Sequence, residues 1–200
     1  MKLLLIRHGE SEADILNVCE GRADFSLTER GERQAQAMAE YVAAHYKLSA
    51  IYCSTLKRAR QTAQRLSDAT GVPLTPDERL MEFNNGLRAG LPYDEANEKY
   101  PNVPDLPPHR SVYEQESMYE FRFRTKCMLS ELLCSADGDQ TIAAVAHGGT
   151  INMLLHAFMN IPECADVGFA TGDTGIHELL VTDGKRRVAM LNFTGHTAGI

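Results

Sequence analysis

Residues 141–149 have the sequence Thr-Ile-Ala-Ala-Val-Ala-His-Gly-Gly, in which six uncharged residues run directly into a histidine and two glycines. An apolar run of this length predicts a strand in the middle of a sheet that is covered on both faces. The N-terminus shows the same arrangement, because the apolar residues 2–6 lead into Arg7, His8 and Gly9. Ligands of open α/β sheets bind at the carboxyl ends of strands. If these two strands are neighbours, both histidines face one crevice.

Helical periodicity between the apolar strands predicts an α/β sandwich. The predicted helices cover residues 29–46, 56–69, 93–100, 118–135 and 150–159, and the further predicted strands cover 50–53, 175–182 and 186–193. Residues 9–26 are predicted to form a loop. Capping-box patterns at Ser26–Glu29 and Ser117–Glu120 indicate two helix starts, and Asp137-Gly138-Asp139 indicates a helix end. Asp183-Gly184-Lys185 predicts a closing hairpin, which makes the sheet mixed rather than purely parallel.

The composition is that of a folded globular protein. The chain has 200 residues, of which 44% are hydrophobic and 24% charged, and its formal net charge is −7. These values predict a single domain spanning residues 1–200. An acidic chain is a poor candidate for general binding of nucleic acid or anionic membranes, so any anion must be bound in a local pocket.

The cysteines and the N-terminus bear on location. Five cysteines, an odd number without a Cys-x-x-C pair, indicate reduced thiols, and we therefore expect a cytoplasmic protein. The apolar run at residues 3–6 is too short for a signal peptide, and no run reaches the about 18 apolar residues of a membrane span. A homodimer is left open by the sequence.

Residues 84–112 differ from the rest of the chain. They contain five prolines and few aliphatic residues, with one short helix predicted inside them. This composition predicts an insertion that acts as a lid over the site.

The residues at the two strand ends suit one kind of chemistry. His8, His147, Arg7 and Arg58 could bind a phosphoryl group, attack it with a neutral imidazole and stabilise the charge on its oxygens. A carboxylic acid would then protonate the leaving alcohol, and Glu10 and Glu82 are the candidates. A metal site built from the histidines and Glu82 is disfavoured, because the two arginines would repel a cation.

Arg7-His8-Gly9-Glu10 after an N-terminal strand resembles the signature of the histidine phosphatase superfamily, the phosphoglycerate-mutase-like enzymes. Further blocks follow in family order: Gly21 with Asp24 and Leu27-Thr28-x-x-Gly31, Ser54-Thr55-Leu56-x-Arg58-Ala59-x-Gln61-Thr62, Leu80-x-Glu82 with Gly86 and Gly90, and His147-Gly148-Gly149. The resemblance extends from residue 3 to about residue 155, and Asn192-x-Thr194-x-His196 is similar to the family's tail. One such block would be a weak signal, whereas an ordered series is a strong one.

The resemblance implies a role for each of these residues. His8 would be the phosphorylated nucleophile, Glu82 the general acid and then the base, and Arg7, Arg58 and His147 the ligands of the phosphoryl oxygens. It also implies a three-layer α/β/α sandwich around a mostly parallel mixed sheet, a small phosphorylated substrate, and no metal or other cofactor. We further expect a group of residues to help bind the substrate or its phosphate: Ser11, Gly21, Gly148 and Arg88.

The sequence departs from the family pattern at informative positions. Asp14 stands where many members have Asn, and Arg88 stands where phosphatases often have Trp. Gly149, Asn85 and Tyr93 replace residues with which the mutases hold a second anionic group. These departures favour a metal-independent phosphomonoester hydrolase. The alternatives are a phosphoglycerate mutase and a catalytically inactive member that binds a phosphorylated ligand.

Positive charge near the pocket mouth predicts the substrate class. Arg88 lies on the acid loop, and the Pro-rich stretch 101–110 ends in His109-Arg110. Together they predict a preference for small phosphomonoesters that carry a second anionic group. In the alternative interpretation, Arg88 only pairs with Glu95 or Glu98.

Overall fold

The computed structural model describes residues 1–135, 138–162 and 166–200. The strands are β1 (Lys2–Arg7), β2 (Leu48–Cys53), β3 (Leu74–Pro76), β4 (Thr141–Ala146), β5 (Ile176–Thr182) and β6 (Lys185–Phe193). The α-helices are α1 (Glu12–Leu16), α2 (Glu29–His45), α3 (Lys57–Thr70), α4 (Tyr93–Lys99), α5 (Met118–Cys134) and α6 (Gly148–Met159), with single 3₁₀ turns at Glu78–Leu80, Gly86–Arg88 and Gly195–Thr197. The predicted helix end at Asp137 lies outside the described residues, as does Cys164.

The sheet is mixed, with strand order β3-β2-β4-β1-β5-β6. The first four strands in this order are parallel, β5 runs antiparallel to β1, and β6 runs antiparallel to β5. Asp183 and Gly184 both have positive φ and form the predicted hairpin turn. The predicted α/β class and mixed sheet are confirmed, and β1 and β4 are the neighbours that the crevice requires.

Helices cover both faces of the sheet, which explains the uninterrupted apolar strands. Leu3 and Leu5 face one core with residues of α5 and α6, whereas Leu4 and Ile6 face a second core with residues of α2 and α3. All six residues of β4 are buried. Because successive side chains of a strand point to opposite faces, a strand between two helix layers needs apolar residues at every position.

The predicted starts of α2, α4 and α5 are confirmed, and α3 begins one residue later than predicted. Ser117 and Glu120 form the predicted capping box of α5. The cap of α2 is Thr28 rather than Ser26, because the Thr28 hydroxyl accepts the hydrogen bond from the Gly31 amide. Helix α6 begins at Gly148, two residues earlier than predicted, and the predicted loop 9–26 contains the short helix α1.

The segment 84–112 contains the 3₁₀ turn at Gly86–Arg88 and helix α4, one residue shorter than predicted. Its action as a lid remains a prediction, as does the single-domain boundary at 1–200.

Four cysteines in the described part of the chain are free thiols. Within the same residues, no helix has both the length and the apolarity that crossing a bilayer requires.

Leu80 links the acid loop to the core, so its truncation should destabilise the fold. The side chain is fully buried against α5, two residues before Glu82. We expect Leu80→Ala to lower the free energy of unfolding by about 2–5 kcal/mol, since a large buried side chain leaves a cavity. Leu87→Ala is the matched control, because Leu87 is 42% exposed on the same loop. Urea unfolding measures both, and equal losses would contradict the assignment of Leu80 to the core.

Candidate active site

The two strand-end histidines lie side by side at the carboxyl ends of β1 and β4. Arg7 pairs with Ala146 in the parallel ladder, and the His8 amide donates to the Ala146 carbonyl at 3.0 Å. The imidazole ring centroids of His8 and His147 are 5.0 Å apart. Helices α2 and α6 lie on opposite faces of the sheet beyond these strands. The pairing of β1 with β4 confirms that both histidines lie together at one edge of the sheet, where both are buried. That they face a crevice stays a prediction.

His8 is buried in one tautomer. Its Nδ1 lies 2.7 Å from the Gly9 carbonyl oxygen, which can only accept, so Nδ1 carries the proton. Burial, followed by the charges of Arg58 and Arg7, holds the pKa of His8 well below its ordinary value. The imidazole is therefore neutral at physiological pH, and Nε2 is the unprotonated ring nitrogen. An unprotonated nitrogen can act as a nucleophile.

Arg58 places a buried positive charge beside that atom. It lies in the first turn of α3, fully buried, and its Nε donates to His8 Nε2 at 3.2 Å. Its terminal nitrogens donate to the carbonyls of Gly21 at 2.9 Å and Ala23 at 3.0 Å. Gly21 has a φ of +47°, and a Cβ there would collide with Asn85, so glycine is required where the loop presents its carbonyl.

His147 supplies a hydrogen-bond donor to the same pocket. Its Nε2 lies 2.8 Å from the Ser54 hydroxyl, and that hydroxyl oxygen accepts from the Leu56 amide. When the Ser54 hydroxyl donates to His147 Nε2, the ring proton is on Nδ1. Burial, followed by the charge of Arg58, keeps the pKa of His147 well below its ordinary value.

Arg7, which directly precedes His8, is anchored by two contacts with the loop before β5. One terminal nitrogen donates to the Thr171 carbonyl at 2.8 Å, and the other lies 3.4 Å from the Asp173 carboxylate. Among the side chains that the structure describes, three buried nitrogen atoms lack a hydrogen-bond partner, and two of them are Arg7 Nε and His147 Nδ1. Unpartnered buried donors are rare in folded proteins. Two of them close to His8 indicate a site that receives an anion.

Glu82 lies at the N-terminus of α6. Its two carboxylate oxygens accept from the amides of Phe83 at 2.7 Å and Gly149 at 2.8 Å. A Cβ on Gly149 would come within 2.5 Å of this carboxylate, so the glycine makes room for it. Arg124 fixes the loop by donating to the Glu82 carbonyl at 2.9 Å. The structure thereby places Glu82 beside His147.

Glu10, the second candidate acid, is held elsewhere. Its carboxylate accepts from the Thr28 hydroxyl at 2.7 Å and pairs with Arg30 at 2.8 Å. These partners lie at the start of α2, so the side chain is engaged at the surface of that helix. Of the two carboxyls named from the sequence, the geometry favours Glu82.

Three further residues were predicted to help bind the substrate, and the structure places them as follows. Ser11 is fully buried beside Glu20, with its hydroxyl 2.5 Å from that carboxyl group. Gly21 holds Arg58 through its carbonyl, as described above. Gly148 begins α6, and no atom lies within 4 Å of the position that a Cβ would take. Asp14 is exposed and accepts from the Ser11 amide at 2.8 Å, so its carboxylate caps its own helix.

Arg88 is not brought to the pocket by its hydrogen bonds. Its guanidinium donates to the Tyr100 carbonyl and to the Asn97 side-chain oxygen. These partners lie on or just after α4, within its own segment. The alternative pairing with Glu95 or Glu98 is also absent, since Glu95 binds Lys99 and the nearby acceptor is Asn97. Neither the predicted substrate contact of Arg88 nor its predicted pairing with a glutamate is seen. The guanidinium is bound instead by the Asn97 side chain of α4 and by the Tyr100 carbonyl at the end of that helix.

Three residues of the site were missed by the sequence reasoning. Glu20 lies 3.1 Å from Arg58 and 3.7 Å from His8, Ser54 orients His147, and Asp173 pairs with Arg7. Glu20 directly precedes Gly21, and Ser54 begins the block that contains Arg58, so their positions were a usable signal. Asp173 lies on a loop outside every motif, so no signal in the sequence pointed to it.

The comparisons with known proteins agree with this geometry. The model of the histidine phosphatase superfamily (branch 1) matches residues 3–194, and the chain belongs to this superfamily. Phosphoserine phosphatase 1 of Hydrogenobacter thermophilus is 27% identical, covering 98% of this chain and 94% of its own. The 2,3-bisphosphoglycerate-dependent phosphoglycerate mutase of Corynebacterium diphtheriae is 31% identical, and the match covers 89% of this chain and 86% of the mutase.

A solved structure shows the same fold. The mycobacterial glucosyl-3-phosphoglycerate phosphatase in complex with VO3 superposes with a TM-score of 0.82 at 27% identity, covering 96% of this chain and 98% of its own. The resemblance stated from the sequence is confirmed, and so is a phosphoric monoester hydrolase of this superfamily.

Proposed function

We propose that this protein hydrolyses small phosphomonoesters through a phosphohistidine formed on Nε2 of His8. The observation that carries the proposal is the combination of a neutral, buried imidazole with unpartnered donors around it. Nε2 of His8 faces the Arg58 guanidinium, while Arg7 Nε and His147 Nδ1 have no acceptor among the described protein groups. A phosphoryl group bound at Nε2 supplies acceptor oxygens for all three donors.

The first half of the reaction transfers the phosphoryl group to the protein. The lone pair on His8 Nε2 forms the N–P bond as the P–O bond to the leaving alcohol breaks. Arg7, Arg58 and His147 stabilise charge on the three equatorial oxygens. Glu82 gives its proton to the leaving oxygen, so that the product departs as a neutral alcohol.

The second half releases phosphate. Glu82, now a carboxylate, takes a proton from water, and the water oxygen attacks phosphorus as the N–P bond breaks. The electron pair returns to Nε2, and His8 is again a neutral imidazole. The hydrogen bond from Nδ1 to the Gly9 carbonyl is kept throughout, so the ring does not change tautomer.

The names of the relatives support a substrate class. Phosphoserine phosphatase and glucosyl-3-phosphoglycerate phosphatase are named for substrates that carry a carboxylate beside the phosphomonoester. We propose the same class for this chain. Arg22 is the cation whose position suits the second anion, since it contacts the Glu82 carbonyl at 3.4 Å with a side chain 33% exposed. It lies 3.7 Å from Glu116, whose carboxylate is engaged more closely by Arg124.

His8→Ala should abolish turnover of p-nitrophenyl phosphate, because Nε2 of the other imidazole in the pocket, His147, is engaged by the Ser54 hydroxyl. The variant should also lose the acid-labile, base-stable phosphoenzyme, which rapid quenching with labelled substrate detects. EDTA in the assay tests independence from metal, and a parallel 3-phosphoglycerate isomerisation assay tests the mutase alternative. Substantial turnover by His8→Ala would overturn the mechanism. Lack of turnover by the wild type on every phosphomonoester would favour an inactive member.

Glu82→Gln should slow hydrolysis of alkyl phosphates about 100-fold and that of p-nitrophenyl phosphate much less, since an alkoxide needs protonation and nitrophenolate hardly does. Gly149→Ala should show the same selective loss, because the added methyl group displaces the Glu82 carboxylate. Gly148→Ala is the matched comparison, because its methyl group meets no atom within 4 Å. Steady-state kcat on both substrates measures the effect. Equal losses on both would assign Glu82 to positioning instead.

Arg22→Ala should raise KM for phosphoserine about tenfold relative to p-nitrophenyl phosphate, because a charge-assisted hydrogen bond to the carboxylate is lost. Arg88→Ala should leave the order of preference unchanged, since its guanidinium binds α4. Steady-state kinetics of both variants on both substrates decide whether Arg22 or Arg88 binds the second anionic group. A selective effect of Arg88→Ala alone would restore the assignment made from the sequence.

A further inference from the structure

Glu20 brings a carboxyl group into the pocket that is proposed to bind an anion. One of its oxygens lies 3.1 Å from Arg58 Nε, and the other lies 3.7 Å from His8 Nε2. The same Arg58 Nε donates to the nucleophile. Glu20 therefore shares with His8 the one guanidinium N–H that faces the reacting atom.

The position of Glu20 is fixed by the fold. The preceding residue, Cys19, is held on both sides, since its amide donates to the Leu91 carbonyl and its carbonyl accepts from the Gly90 amide, both at 2.8 Å. The following residue, Gly21, is tied to Arg58. The Glu20 side chain is only 18% exposed and contacts the Ser11 hydroxyl at 2.5 Å. These contacts hold the carboxyl group in the pocket rather than in solvent.

A phosphoryl group on Nε2 would meet this carboxyl group directly. Its oxygens extend from phosphorus toward Arg58, where a Glu20 oxygen already lies. Two anionic groups at this separation in a buried site repel strongly, and one proton shared between them removes the repulsion.

Ser11 has a second acceptor within reach when Glu20 gains that proton. Its hydroxyl oxygen lies 2.5 Å from Glu20 and 3.1 Å from the Asp14 carboxylate. A hydroxyl has one proton, so it can donate to only one of the two carboxyl groups. While Glu20 is charged the Ser11 hydroxyl donates to it, and when Glu20 is protonated the hydroxyl can donate to the Asp14 carboxylate instead.

We propose that Glu20 takes up one proton from solvent when the pocket binds a tetrahedral oxyanion, and that the protonated carboxyl group then donates a hydrogen bond to an oxygen of that anion. The proposal rests on the proposed function, because it takes the His8 pocket as the phosphoryl site. Its consequence is that affinity for the anion falls as the pH rises, through a group that does not itself form a bond to phosphorus.

The surroundings of Glu20 set the direction of the effect. Burial raises the pKa of the Glu20 carboxyl, while Arg58 and the Ser11 hydroxyl oppose the rise and Asp14 adds to it. An anion bound next to it raises the pKa further. Below the pKa of the free protein Glu20 is already protonated and binding takes up no proton, whereas above it each bound anion carries one proton. The titratable, polar and charged groups around Glu20 are Arg7, His8, Ser11, Asp14, Arg58 and Tyr93.

Competitive inhibition by sulfate tests the proposal, because sulfate is tetrahedral and stays a dianion from mildly acidic to alkaline pH. We expect the wild-type inhibition constant, measured against p-nitrophenyl phosphate, to be flat at low pH and then to rise about tenfold per pH unit. Glu20→Gln keeps a hydrogen-bond donor and has no proton to gain. Its inhibition constant should stay flat, and at high pH it should bind sulfate more tightly than the wild type does.

Ser11→Ala is the second variant, and it keeps the test decisive if Glu20→Gln folds poorly. Removal of the hydroxyl donor should raise the pKa of Glu20. The rise of the inhibition constant should then begin at a higher pH with the same slope. A shift to lower pH would contradict the proposal.

The other outcomes separate this inference from the proposed function. An unchanged slope in Glu20→Gln would assign the proton to another group and overturn the inference. A wild-type constant independent of pH, with tighter binding by Glu20→Gln at every pH, would mean that the charged carboxyl is simply displaced, which also overturns it. In either case the phosphoryl pocket stands. Failure of sulfate to compete with p-nitrophenyl phosphate would also overturn the inference, whereas lack of turnover by the wild type would instead remove the proposed function.

Discussion

The parallel pairing of β1 with β4 is the constraint on which the rest of the site depends. It sets Arg7 opposite Ala146 and thereby brings His8 and His147 to a ring separation of 5.0 Å. A slip of one residue would move one histidine about 3.3 Å along the strand. That distance exceeds the tolerance of the hydrogen bonds that hold a phosphoryl group. The two helix layers keep this pairing in place by burying both faces of the strands.

Burial of Arg58 decides the electrostatics of the pocket. The chain carries a net charge of −7, yet a guanidinium lies beside the nucleophile without exposure to solvent. Loop carbonyls and Glu20 surround this cation, and its charge adds to the effect of burial in keeping His8 neutral. In the proposed reaction the same cation has two effects, because it keeps the His8 imidazole unprotonated at Nε2 and would attract the phosphoryl oxygens. The carboxyl group of Glu20, 3.1 Å from Arg58, weakens the attraction of this cation for an anion.

The acid loop shows how a core contact positions a chemical group. Leu80 anchors the loop in the core against α5, and two residues later Glu82 meets the first amides of α6. Arg124 ties the backbone of the loop to α5. Glycine at position 149 is a consequence of this arrangement, because the carboxylate occupies the space of a side chain. Of the three substitutions that distinguish this chain from the mutase pattern, the one at position 149 thus has a steric reason in this structure.

The sequence by itself determined five of the six strands of the sheet, the main helices and the two histidines at the strand ends, and it missed the three-residue strand β3. Alternation and periodicity are local properties, and a histidine that follows a buried strand must lie at the edge of the sheet. Only the tertiary structure decided which charged groups meet there. Arg88 was expected at the substrate and binds α4 instead, Glu10 was a candidate acid and binds Arg30, and Glu20 was overlooked and faces Arg58. Long polar side chains reach any of several partners from one backbone position. Their choice depends on burial and on residues distant in the chain, such as Arg58 and Gly21, which no local pattern encodes.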